Sequence, residues 1–210
     1  MLDVNVFPMA ILLALAVAAT GCAPLVVGGA AAGAVAVSQD PRSTGIQVDD
    51  QMIELKAYDL INHDPLLVSP DVPSPLDPNA PQPPELSHIA VASYNGVVLL
   101  TGEVPTEATR ADLAERVRAI EKVKQVHDEL TVGPPASAAS RTSDSLITTK
   151  IRARMLVEKD FDSDAVKVVT NRGTVYLMGI LSRKEAAIAT EIARTTQDAQ
   201  RVVKLFEYLD

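Results

Sequence analysis

The sequence predicts an α+β protein built from two tandem modules, each ordered helix-strand-strand-helix-strand. Three observations carry that reading. The chain repeats itself: "SYNGVVLLTGEV" (93–104) matches "TNRGTVYLMGIL" (170–181), aligning Gly96 with Gly173 and Gly102 with Gly179. Flanking blocks fall in the same order, 49–61 against 143–155 and 122–130 against 198–206, as expected of one supersecondary unit copied. In each copy two β-rich runs surround a glycine turn. Finally, the chain is 47% hydrophobic but 3% aromatic with no Trp, so its cores are built from Val, Leu, Ile and Ala.

Each element has its own signal. The opening helix of the second copy carries Ile147, Ile151 and Met155 at i, i+4 and i+8, one face of a helix. In the first copy "HIAVASY" and "VVLLT" are joined by Asn95-Gly96, a strong hairpin dipeptide, and "NRG" (171–173) takes that place in the second. Gly96, Gly102, Gly173 and Gly179 are expected to serve structural turns or close packing in the sheet. The second helices carry Leu113, Val117 and Ile120, then Ile188 and Ile192 behind a Ser182/Glu185 capping box. "VKQVHDELTV" and "QRVVKLFEYL" supply the closing strands. Both helices of a module are expected on one face of a three-stranded sheet.

The expected boundaries are 48–132 for the first module, 133–142 for a linker and 143–210 for the second module. The first module is interrupted at about 65–85 by a segment with 8 of the chain's 14 prolines. Proline fixes φ and removes a donor, so this segment reads as an extended inserted loop. A ligand for a proline-binding groove is the alternative.

Before the modules, Val6 to Ala19 is a run of 14 uncharged residues. A membrane-spanning helix needs about 20, whereas the apolar core of a secretory signal is shorter. "ATGC" (19–22) resembles the lipobox of bacterial lipoprotein precursors, with Ala19 where Leu is usual. That resemblance implies a signal peptide over 1–21, lipidation of Cys22 with palmitate-like chains, and a tether over 22–47. Ala23 in place of Asp implies an outer-membrane destination, facing the periplasm. The plainer alternative is a small buried cysteine.

Charge narrows the function classes. The net charge is −8, but residues 141–210 hold 12 Lys+Arg against 10 Asp+Glu, a net of +2. The remaining 7 against 17 leave −10 in residues 1–140. A general nucleic-acid binder needs a basic surface, so nucleic acid is not an expected partner. One Cys excludes an intramolecular disulfide. His63, His88 and His127 lack metal-ligand spacing, and no nucleophile elbow, phosphate loop or H-E-x-x-H pattern is present. No enzyme activity, metal or cofactor is expected.

These repeated blocks, with "DPRSTGIQVDD", "SLITTKIRARML" and "VYLMG", resemble the BON domain, a small α/β module found in pairs in bacterial envelope proteins. The resemblance implies binding of anionic, phosphatidylglycerol-like phospholipid through the opening helix of the second module, and support of outer-membrane integrity. The residues agree in kind. Opposite the core face fall Leu146, Thr149, Ala153 and Val157, flanked by Lys150 and Arg152. An apolar strip bordered by cations suits an anionic lipid surface. Packing against the first module is the other reading of the same strip. One family member carries Trp at the position of Leu146; Leu keeps the apolar contribution and loses the interfacial preference of Trp. The matching helix of the first module, with Glu54, Lys56 and Asp59, is more acidic and a poorer candidate. A function from a different class, a scaffold recruiting an envelope protein through the Pro-rich loop or the acidic first module, stays open.

Overall fold

Two copies of one topology, with a short 3-10 turn at Ser163–Ala165 added in the second, make up the described part of the computed structural model, which describes residues 40–64, 67, 88–159 and 161–210. Helix α1 (Thr44–Asn62) starts where the Ser43 hydroxyl accepts the Ile46 N–H, and buries Asp50, Ile53, Ala57 and Ile61. Strands β1 (His88–Tyr94) and β2 (Val97–Val104) form an antiparallel hairpin. Helix α2 (Glu107–Arg118) crosses over to β3 (Gln125–Val132), which pairs with β2 in parallel. The second copy repeats this with α3 (Ala138–Val157), β4 (Val166–Asn171), β5 (Thr174–Leu181), α4 (Arg183–Arg194) and β6 (Arg201–Tyr208). The sheet orders are β1-β2-β3 and β4-β5-β6.

Two helices begin ahead of the expected module boundaries. The linker of 133–142 ends at Ser137, whose hydroxyl accepts the Ser140 N–H and starts α3 five residues earlier than expected. Alanine and an N-cap serine at 137–140 favour helix over linker. Likewise α1 begins at Thr44, inside the expected tether. The capping box at Ser182 and Glu185 forms as expected. Cys22, the signal and tether over 1–39, and all of the Pro-rich insertion except Leu67 lie outside the described residues; Leu67 is buried in the first core.

The glycines divide into two kinds. Gly96 and Gly173 sit in hairpin turns at φ +76° and +74°, behind Asn95 and Arg172, which also have positive φ. Gly102 and Gly179 are not turn residues; they lie within β2 and β5. At Gly102, φ is +122° and a Cβ would stand 1.8 Å from the His88 carbonyl oxygen. At Gly179 a Cβ would come within 2.5 Å of the Ala165 carbonyl oxygen. Both positions require the close approach of two strands.

Each module buries its helix stripes on one sheet face. Ile53, Leu100, Leu113 and Val117 belong to the first such core, and Ile147, Ile151, Leu177 and Ile192 to the second. The opposite faces of the two sheets meet each other. Ala92, Tyr94 and Leu99 pack there with Tyr176 and Met178. This explains why "VVLL" and "VYLM" are continuous apolar runs rather than alternating ones: both faces of β2 and β5 are covered. Residues Ser38–Asp210 accordingly form one compact unit. Polar contacts cross the junction as well. The Tyr94 hydroxyl donates to the Ala165 carbonyl at 3.0 Å, and the Arg172 guanidinium pairs with the fully buried Glu103.

Candidate functional site

The strip read from sequence lies on the outward face of α3. Asp144, Ile147, Ile151 and Met155 face the core, so the residues half a turn away face solvent. Leu146 is 55% exposed and Val157 78%. Thr149, Lys150, Arg152 and Ala153 are exposed beside them. The first module therefore leaves Leu146 and Val157 uncovered. Leu156, 74% exposed, extends the apolar surface and was not singled out by the strict opposite-face count. On a helical wheel it falls beside Thr149, at the edge of the strip.

The polar groups on this face are arranged so that drying it costs little. The Thr149 hydroxyl donates to the Ser145 carbonyl at 2.8 Å, and the Ser145 hydroxyl to the Arg141 carbonyl at 3.0 Å. Hydroxyls bound to their own helix backbone need no water. The Lys150 ammonium contacts the Asp198 carboxylate at 3.3 Å, an exposed pair of small energy. Arg152 donates to the Val168 carbonyl at 3.3 Å and has no ion-pair partner among the described residues. Arg154 turns away: its guanidinium caps the end of α4 through the Ile192 carbonyl and the hydroxyls of Thr195 and Thr196.

The matching face of α1 is also apolar. Val48, Met52 and Leu55 are 51%, 46% and 61% exposed at i, i+4 and i+7. Reading that helix by its charges alone hid this, because Glu54 is not a free surface acid. It accepts the Ser93 N–H at 2.7 Å and pairs with Lys167 of the second module.

Two aspartates that the sequence analysis does not single out hold the hairpins in place. Asp50 accepts the N–H groups of Asn95 and Gly96 at 2.7 and 2.9 Å, the Ser93 hydroxyl at 2.6 Å and Arg42 at 2.8 Å. Asp144 accepts the N–H groups of Arg172 and Gly173, both at 2.8 Å. The two aspartates occupy the same position of the repeat, and each ties a first helix to a hairpin turn. Among the described residues no three His, Cys, Asp or Glu side chains are grouped to hold a metal ion. No helix of the described residues is long and apolar enough to cross a membrane.

Comparison with known proteins agrees with this doubled architecture. The BON domain profile matches residues 78–134 and again 143–210. The chain belongs to the BON-domain family. Among relatives, it is 33% identical to the outer membrane lipoprotein DolP of Haemophilus influenzae over 202 residues, 96% of each chain. It is also 33% identical to a 21 kDa hemolysin of Actinobacillus pleuropneumoniae, covering 81% of this chain and 79% of that one. The osmotically-inducible protein Y of Escherichia coli is 29% identical over 54% of this BON chain and 58% of its own.

Proposed function

We propose that this BON protein is a lipid-anchored outer-membrane lipoprotein whose second module contacts anionic phospholipid through the outward face of α3, in support of outer-membrane integrity. The observation that carries the reading is the exposed apolar strip of Leu146, Leu156 and Val157 beside Lys150 and Arg152. An apolar strip gains by leaving water, while cations at its border favour an anionic surface, at about 1 kcal/mol each. The near full-length relative named as an outer membrane lipoprotein supports the location. The acyl chains would supply attachment, and a charge-dependent second contact on the same protein would make the choice of lipid surface selective.

Co-sedimentation of residues 38–210 with vesicles tests the lipid contact, since this unit contains all three hydrophobic cores. Binding is expected to phosphatidylglycerol-containing vesicles and not to neutral ones. Leu146→Asp with Leu156→Asp should weaken it more than about tenfold, the loss expected for two buried leucines. Equal binding to both vesicle types, or an unaffected double variant, would sink the reading. The anchor is tested by lipid-precursor labelling, which Cys22→Ser should abolish.

A second reading, a scaffold for an envelope protein, draws on α1. Its exposed Val48, Met52 and Leu55 beside Asp59 suit a protein surface better than an anionic bilayer. Crosslinking in cells from Met52 distinguishes the two.

A further inference from the structure

A groove of ≈ 670 Å³ opens where the two modules meet, at the edge of the α3 strip. Arg42 and Tyr94 of the first module line it, together with Thr149, Arg152, Leu156 and Lys167 of the second. Its cations come from three separate segments: the chain entering α1, helix α3 and strand β4. The Arg42 guanidinium lies over the Tyr94 ring, 3.8 Å from its centre, and is fixed by Asp40 and Asp50. Lys167 is held by Glu54 and by the Ser93 carbonyl. Asp50 and Glu54 share their charge with the hairpin N–H groups of Ser93, Asn95 and Gly96, so they do not act on the cations alone. Arg152 has no carboxylate partner among the described residues, and Asp164 is the acid that itself lines the groove.

We infer that this groove holds a phosphodiester, the headgroup phosphate of an anionic phospholipid whose acyl chains leave over Leu156 onto the α3 strip. The inference rests on the reading of α3 as a lipid-facing surface. It adds to that reading a headgroup site shared by both modules. A basic strip attracts any anionic surface, whereas a concave site with fixed donors selects among anions by shape. Arg152, held by one bond to the Val168 carbonyl and by no carboxylate among the described residues, supplies its remaining guanidinium donors to the non-ester oxygens, and Lys167 a point charge beside it. Arg42, already bound on two sides, walls the site and ties it to the first module.

The decisive variant is Glu54→Gln with Lys167→Gln in the 38–210 unit. It removes one charge of each sign, so net charge is unchanged and a loss of binding reads the groove rather than the overall field. With phosphatidylglycerol vesicles, affinity should fall about fivefold, the worth of one cation at an anionic surface. Arg152→Gln, at an exposed position, should do the same while Lys184→Gln, an equal loss of charge outside the groove, should not, and this pair serves if the double variant fails to fold. Titration with glycerophosphoglycerol, the headgroup without chains, should shift the Arg152 and Lys167 side-chain resonances, and inorganic phosphate should shift them less. If both groove variants bind like wild type while the Leu146/Leu156 variant loses binding, the groove is overturned and the strip stands. If the Leu146/Leu156 variant also binds like wild type, both readings fail. Equal shifts with phosphate and glycerophosphoglycerol, at unchanged vesicle affinity, would mark a site for free anions and overturn the headgroup assignment.

Discussion

Asp50 and Asp144 are the residues whose roles are hardest to see in one dimension. Each is a nearly buried carboxylate on the core face of a helix, a position that normally takes an apolar side chain. Burial of the charge is offset by charge-assisted bonds from turn N–H groups. Asp144→Ala leaves the Arg172 and Gly173 N–H groups without their acceptor. A loss of about 2–3 kcal/mol is expected from urea unfolding, and Asp50→Ala should cost more, since Asp50 serves four donors. Unchanged midpoints would show that the turns hold without them. The repeat alignment put the two aspartates in register, but nothing in their spacing pointed to a hairpin some 30 to 45 residues away.

At the level of elements, the burial of α3 follows its period. The face with Ile147, Ile151 and Met155 is buried, and the face with Leu146 and Ala153 is exposed, because 3.6 residues per turn fixes which side chains share a side. The helix itself begins at Ala138, ahead of the expected module boundary at 143, because its N-cap rests on a local bond to the Ser137 hydroxyl, outside the repeated block. The two faces should respond oppositely to the same change. Leu146→Asp is expected to shift stability by less than about 0.5 kcal/mol, whereas Ile151→Asp, fully buried, should abolish cooperative unfolding. Thermal melts of both variants check this, and a folded Ile151→Asp would mean the helix is turned differently.

For the whole molecule, the decisive contact is sheet against sheet. Tyr94 and Tyr176 sit at that junction, and burial, reinforced by Asp40 and Glu129 respectively, pushes each phenol up to about 12 from its ordinary value near 10. A raised folded pKa means stability is fully present below pH 10 and is lost as pH rises through about 12. Alkaline unfolding should therefore steepen across that window, and the Tyr94→Phe/Tyr176→Phe variant should flatten it. An identical pH profile for wild type and variant would show that the phenols ionise freely.

The sequence by itself determined the doubled order of elements, the helix faces that are buried, the hairpin turns and the outward strip on α3. All of these follow from local rules: helical period, strand alternation, turn chemistry and the resemblance between two nearby blocks. Only the tertiary structure decided that the modules share a sheet-to-sheet core, that Glu103 is buried against Arg172, and that Arg42 and Lys167 border the same groove as Arg152. These are pairings between residues tens of positions apart. A hydrophobic pattern states that a face must be covered, but not by what; that choice was made when both faces of β2 and β5 were apolar and the second sheet was the surface within reach.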